Sequence, residues 1–243
     1  MQKFDAVVIG GGPGGYACAI RLAQNGLKAA LVEADTLGGT CLNRGCIPTK
    51  TLLHSADVYY DATHGDAYGV TAGNVTFDYG KIIERKAAVS KQLSSGIAFL
   101  EKSHGVTVIK AHAVLKDRNT VELDNGETLT CDHLIVATGS EPATLPIPGI
   151  DLPGVVDSTG LLNMTACPKH IVIVGGGFAG LALIRTLRRS GMQVVLVHGE
   201  EKAQQILSGL IKDQFHLSVY APGYLEEMAL AAGATPEVVV TAQ

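Results

Sequence analysis

Residues 38–50 read Gly-Gly-Thr-Cys-Leu-Asn-Arg-Gly-Cys-Ile-Pro-Thr-Lys, and within them Cys41 and Cys46 are separated by four residues. A Gly-Gly-Thr turn precedes the pair, and an apolar, helix-compatible run from Thr51 to Ala56 follows it. Two thiols at the start of a helix suit a redox disulfide, because thiol–disulfide exchange needs a thiolate and the positive end of a helix dipole favours one. Lys50, one helical turn after Cys46, adds a fixed positive charge on the same face. The competing readings of a close cysteine pair are two small buried apolar side chains, or half of a zinc site. Zinc needs further clustered ligands, and no second close Cys or His pair occurs in the chain, so no metal is expected.

A second chemistry is written in the glycines. Phe4 to Ile9 has the pattern of a strand, Gly10-Gly-Gly12-Pro13-Gly14-Gly15 that of a phosphate-binding turn, and Tyr16 to Asn25 that of a helix ending at Gly26. Lys28 to Glu33 is then a second strand that ends in an acid, eighteen residues past Gly15. In such a βαβ unit Gly10 makes the tight turn, Gly12 lets the backbone approach a pyrophosphate, and Gly15 lets the helix pack on the strand. The phosphates lie at the helix N-terminus, and Glu33 is placed to hold a ribose hydroxyl. The pattern returns at a constant offset of 165: Ile171 to Val174, Gly175-Gly-Gly177-Phe-Ala-Gly180, a helix from Leu181 to Arg189, and Val194 to Val197. Two such units predict two nucleotides. The expected fold is α/β, with two Rossmann-like βαβ dinucleotide-binding domains of three layers and parallel sheets.

Together these residues carry a resemblance. The string Cys41-Leu-Asn-Arg-Gly-Cys46-Ile-Pro-Thr-Lys50-Thr-Leu-Leu-His54 resembles the active-site motif of the flavin-dependent pyridine nucleotide–disulfide oxidoreductases, and within them it is most similar to the dihydrolipoamide dehydrogenases. The resemblance covers about residues 4 to 200 and implies electron transfer between a nicotinamide, FAD, the Cys41–Cys46 disulfide and a dithiol, either a small molecule or a lipoyl domain. It implies that Cys46 lies against the flavin, that Cys41 exchanges with the dithiol, and that Lys50 serves both catalysis and flavin binding. For FAD it implies contacts from Gly10, Gly12, Pro13, Gly14, Gly15, Glu33, Ala34, Gly39, Thr40, Lys50, Ala113 and Ala137-Thr138-Gly139. For NAD it implies Gly175, Gly177 and Gly180, with His198 and Glu200 at the ribose end. The FAD domain is expected over residues 1–145 and the NAD domain over 146–243, the four prolines between Glu141 and Gly154 marking the crossing.

The chain also departs from the family's pattern. Relatives are longer: they add a second FAD-contacting segment ending in Gly-Asp, and an interface domain through which a homodimer shares a His-Glu pair. Neither is in these 243 residues, so a truncated chain with weakened FAD binding is expected. The family's Gly-Leu-Glu is Gly180-Leu181-Ala182, which deprives Lys50 of an acidic partner, and the ribose acid expected eighteen residues after Gly180 is His198, with Glu200 and Glu201 just beyond. No Arg follows that strand to meet a 2′-phosphate, which favours NAD over NADP. The alternative function is a catalytically impaired nucleotide-binding or redox-sensing flavoprotein. A mercuric reductase is disfavoured, since the chain has no C-terminal cysteine pair.

The elements that must position these groups are set by the rest of the chain. With 47% apolar and 17% charged residues it has enough apolar material for packed globular domains. A net charge of −4 with no basic block excludes a nucleic-acid partner, and the most apolar stretch, Ile171 to Ile184, is too short and glycine-rich to span a membrane. Cys18, Cys131 and Cys167 stand singly in apolar stretches and read as core. The strand beginning almost at Met1 predicts no signal peptide and a reducing, cytoplasmic setting. Val58 to Lys102 reads as helical with a break at Gly69 to Thr76. Val106–Ile109, Ala113–Leu115 and Thr120–Leu123 read as short antiparallel strands, the last joined by an Asp-Asn-Gly-Glu turn to Thr128–Cys131, and Asp132 begins a further strand. Beyond Glu200, helices over 203–216 and 222–232 and strands over 217–220 and 238–240 are expected.

Overall fold

The computed structural model describes residues 1–144, 149–168, 170–174, 193–197 and 238–241. They fall into two compact units, one of Met1–Pro48 and Arg85–Glu141, the other of Thr49–Glu84 and Pro142–Gln243.

The first unit is built on a strand-helix-strand start. Strand β1 (Gln2–Ile9), helix α1 (Pro13–Gln24) and strand β2 (Ala29–Glu33) follow the expected order, with Ala6 paired in parallel to Ala29. The apolar runs of β1 and β2 are buried on both faces, as a central parallel strand requires. Val7, Ile9, Ala30 and Val32 join one core cluster with Phe4, Val121 and Leu129, while Val8 and Leu31 join another with Ala19 of α1 and Val106. Tyr16, Ala19, Leu22 and Ala23, at helical spacing, form the face that α1 lays on the sheet.

Two further stretches differ from expectation. Strand β3 (Thr107–Lys110) lies parallel to β2 at the sheet edge and is not part of an antiparallel set. It follows the long helix α4 (Tyr79–Ser103), and a crossover helix returns the chain in the direction needed for parallel pairing. Thr128 to Cys131 and the segment from Asp132 are one unbroken strand, β6 (Thr128–Val136). It pairs in parallel with β1 from Gln2 to Ile9 and antiparallel with β5 (Thr120–Leu123), and β5 in turn pairs with β4 (Ala113–Leu115). The order β3-β2-β1-β6-β5-β4 thus gives four parallel strands and an antiparallel flank. The Asp-Asn-Gly-Glu turn is present, with Leu123 N–H donating to Glu127 O at 2.9 Å.

In the second unit α3 (Cys46–Thr63, from Thr49 onward) leads through a 3-10 turn at Gly65–Tyr68 to the first turns of α4, the break falling where Gly69 was expected to make it. Its sheet is wholly parallel, in the order β7 (Val155–Asp157), β10 (Val238–Thr241), β8 (His170–Val174) and β9 (Gln193–Val197). β7 and the short helix α5 (Ser158–Leu162), capped by Asp157 at 2.7 Å from Gly160 N, were not anticipated. The internal repeat holds at the level of register: Ile171 pairs with Val194 as Ala6 pairs with Ala29, each position displaced by 165. The helices expected over 181–189, 203–216 and 222–232 and the strand over 217–220 lie outside the described residues.

One buried group stands against this packing. Glu101, in the last turns of α4, is 0% exposed, and among the described residues neither carboxylate oxygen has a hydrogen-bond partner. Burial alone pushes its pKa up from 4.5 to about 7. The folded chain therefore keeps a proton that the unfolded chain releases, so stability falls as pH rises from 4.5 to about 7 and the loss is complete above that. Glu101→Leu should flatten this slope and add about 1–3 kcal/mol at pH 8, the cost of an unsatisfied buried polar group. Urea unfolding across this pH range measures both.

Candidate active site

Three segments meet at the carboxyl edge of the first sheet. β1 ends at Ile9, which pairs with Val32 on one side and Val136 on the other, so Gly10–Gly12, Glu33–Asp35 and Ala137–Gly139 emerge together. In open parallel sheets this edge is where ligands bind. Gly10 N–H donates to Val32 O and Ala137 N–H to Ile9 O, both at 2.8 Å. Gly10 has φ +103°, and a Cβ on Gly15 would fall on the Gly10 carbonyl, so the first and last glycines of the motif are held by their own contact. α1 then starts at Pro13 with Gly12 as its N-cap, no capping side chain and no acid in its first turn, and Gly14 faces open space. An uncapped helix start with a bare backbone in front of it is the arrangement that accepts a phosphate.

Glu33, half-buried at the end of β2, accepts the Gly11 N–H at 2.6 Å and the Asp35 N–H at 2.7 Å, with Ala34 between. Its carboxylate is thereby fixed beside the glycine loop. Ala111 N–H donates to Glu33 O at 3.1 Å, and Ala113 opens β4 two residues later, half-buried against the core. Thr138 and Gly139, just past β6, are exposed.

The cysteine segment is bolted to that loop. Gly38 N–H donates to Gly11 O at 2.8 Å, and Gly39, at φ +55°, lies so close to Gly12 that a Cβ on it would stand 2.6 Å from the Gly12 Cα. Helix α2 (Gly39–Asn43) follows, with Thr40 exposed, Cys41 half-buried and Leu42 buried. Asn43 Nδ2 donates to the carbonyls of Thr36, Leu37 and Gly39 at 3.3, 3.2 and 3.0 Å. Arg44 forms an ion pair with Asp35. After Gly45, Cys46 is the first residue of α3 and is exposed; Lys50, also exposed, stands one turn further along the same helix.

The remaining thiols sit in packing. Cys131 is buried in the core, its thiol pushed up chiefly by that burial, and Cys18, on α1, packs half-buried against the cluster of Val8, Ala19, Leu31 and Val106. Cys167 is half-buried and burial pushes its thiol up as well. Gly175, Gly177, Gly180, His198 and Glu200 lie outside the described residues, although the strands that flank them, β8 and β9, are in place. Sequence reasoning missed Asp35, Asn43 and Arg44. The available signal was an amide two residues past the first cysteine, beside a Gly-Gly turn whose carbonyls need donors.

Among the described residues no helix is long and apolar enough to cross a membrane. The chain is 45% identical over 201 residues to the dihydrolipoyl dehydrogenase of Acholeplasma laidlawii, covering 81% of this chain and 60% of that protein. It is 42% identical over 211 residues to the enzyme of the same name from Geobacillus stearothermophilus, covering 86% of this chain and 44% of that one. It thus spans about half the length of the curated relatives it matches. Among solved structures, the Cu(II) complex of the HOCl-induced flavoprotein disulfide reductase RclA from Escherichia coli superposes with a TM-score of 0.80 at 27% identity, covering 100% of this chain and 56% of that one. Residues 4–216 match the family described as pyridine nucleotide-disulphide oxidoreductase, a span that takes in both glycine motifs and the cysteine segment. By that match, the chain belongs to the pyridine nucleotide-disulphide oxidoreductase family.

Proposed function

We propose that the chain serves an FAD-dependent disulfide oxidoreductase that passes electrons between a dithiol of dihydrolipoamide type, the Cys41–Cys46 pair, FAD and NAD. Residues 1–145 form the FAD-binding domain in this reading and residues 146–243 the NAD-binding domain. The observation that carries it is the seating of the cysteine segment on the glycine loop, with Gly39 against Gly12 and Cys46 opening a helix. The names of the two relatives support the dithiol substrate. The absence of an Arg after Val197 and the presence of Glu200 and Glu201 support NAD.

The residues present fit an adenine dinucleotide. The uncapped start of α1 would take the pyrophosphate, Gly12 and Gly14 offer no side chain to obstruct it, and Glu33 would take the ribose. FAD, when bound, supplies the two-electron acceptor that reoxidises the cysteine pair and delivers a hydride to the nicotinamide. A thiolate of the dithiol attacks Cys41 Sγ in the oxidised pair, the S–S bond breaks, and Cys46 leaves as a thiolate where a helix N-terminus favours negative charge. The second substrate thiol, on losing its proton to solvent, attacks the substrate sulfur of the mixed disulfide. Cys41 is released and the substrate leaves as its own disulfide. Lys50 provides a fixed positive charge one turn along α3.

Three outcomes test this reading. Thiol counting before and after mild treatment with dithiothreitol should differ by two, and both should map to Cys41 and Cys46; no difference removes the redox role. Glu33→Ala should weaken flavin retention by about 1–3 kcal/mol, because two backbone N–H groups and a ribose hydroxyl lose an anionic acceptor; flavin release on dilution measures it. Cys41→Ser should abolish dihydrolipoamide oxidation yet leave NADH oxidation by a quinone dye nearly unchanged, since the dye path bypasses the disulfide; steady-state assays of both reactions separate the two.

A further inference from the structure

We infer that Asn43 is a positioning residue that ties the geometry of Cys41 to the dinucleotide loop, so that nucleotide binding and thiol–disulfide exchange depend on one side-chain amide. This rests on the reading of Cys41 and Cys46 as an exchanging pair beside a nucleotide site. Three carbonyl oxygens, from Thr36, Leu37 and Gly39, converge on Asn43 Nδ2 within 3.3 Å. Only the NH2 end of the amide can face three acceptors, so its orientation follows from its surroundings.

Two of those carbonyls belong to the loop before α2, and the third to the first residue of α2 itself. Asn43, the last residue of α2, therefore closes the loop back onto the helix that carries Cys41. The same loop bears the Gly38 N–H that bonds Gly11 O at 2.8 Å and the Gly39 backbone that abuts Gly12. If the amide is lost, the Gly38–Gly39 turn loses what holds it from behind. The pyrophosphate-facing glycines and the thiol two residues on would then shift together. Neither the glycine motif nor the spacing of the cysteines contains this link. Any coupling of this kind is reciprocal: what the loop binds biases the thiols, and the state of the thiols biases the loop.

The experiment uses the full chain with its flavin bound and compares Asn43→Ala, Asn43→Asp and a control, Asn119→Ala. The control removes a part-buried side-chain bond from Asn119 Nδ2 to Cys131 O, at 2.7 Å, inside the same unit but away from the site. Asn43→Asp keeps the shape and replaces the donor by an acceptor that faces three carbonyls. Two quantities are read well below the melting temperature: the FAD dissociation constant, and the position of the Cys41–Cys46 equilibrium in buffers of reduced and oxidised dithiothreitol. Asn43→Ala should raise the dissociation constant about tenfold, the effect of losing the two part-buried hydrogen bonds to Leu37 O and Gly39 O, and should displace the dithiothreitol equilibrium as well. Asn43→Asp should do more on both counts. Asn119→Ala should lower the melting temperature and leave both quantities at their wild-type values. If Asn43→Asp does not fold, Asn43→Ala decides alone. Wild-type values in the Asn43 variants, or shifts no larger than those of Asn119→Ala, overturn the inference while leaving the proposed function intact. A wild-type chain that neither binds FAD nor changes by two thiols overturns both.

Discussion

The arrangement depends on how closely two stretches of bare backbone can approach. Gly39 lies against Gly12 where it can carry no side chain of its own, and that contact is what seats the segment bearing Cys41 on the glycine loop. Dispersion contributes little there, since so few atoms touch. What the contact provides is position: a loop built to receive an anion and a pair of thiols are held within a few residues of one another by main-chain geometry. Main-chain geometry relaxes far less than a side chain does. A Cβ on Gly39 would have to move the Gly12 backbone, and the hydrogen bond from Gly38 to Gly11 would be disturbed with it, whereas one on Gly12 would meet the Gly39 Cα only at an ordinary contact of 3.8 Å.

Around this contact the carboxylate of Glu33 has two tasks. It closes the hydrogen bonds of the buried Gly11 N–H and the exposed Asp35 N–H, and in the proposed reading it would also receive a ribose hydroxyl. Asp35 then continues outward to Arg44 between the two cysteines. That ion pair is surface-exposed and on such grounds worth at most about 1 kcal/mol, so it does little to hold the loop. The part-buried bonds of Asn43 are the firmer fastening.

Much of this was legible in the sequence, for a physical reason. β1, the glycine turn, α1 and β2 obey local rules: continuous burial, a helix after the turn, which starts at Pro13 and so three residues before the expected Tyr16, and an acid at the strand end. Cys46 opening a helix follows from the same local grammar. What was not legible depended on partners distant along the chain. β3 looks like any short apolar strand, and only its pairing with β2 makes it parallel. The fusion of Thr128–Cys131 with the segment after Asp132 is imposed by β1 running along both. Asn43 passes for a turn residue until three carbonyls are found around its amide, and nothing in the sequence around Glu101 announces that its buried carboxylate has no hydrogen-bond partner among the described residues.

The pairing of β1 with β6 also sets an order of events during synthesis. Gln2 lies beside Leu129 and Ile9 beside Val136, so the central strand of the sheet waits for more than a hundred residues before its second edge is covered. On the ribosome, β1 and β2 can pair early around α1, but one row of β1 amides and carbonyls stays open until β6 emerges from the exit tunnel. An open edge on so apolar a strand invites pairing with a neighbouring nascent chain. The interval between the emergence of β1 and that of β6 is therefore when this sheet is most exposed to misassembly.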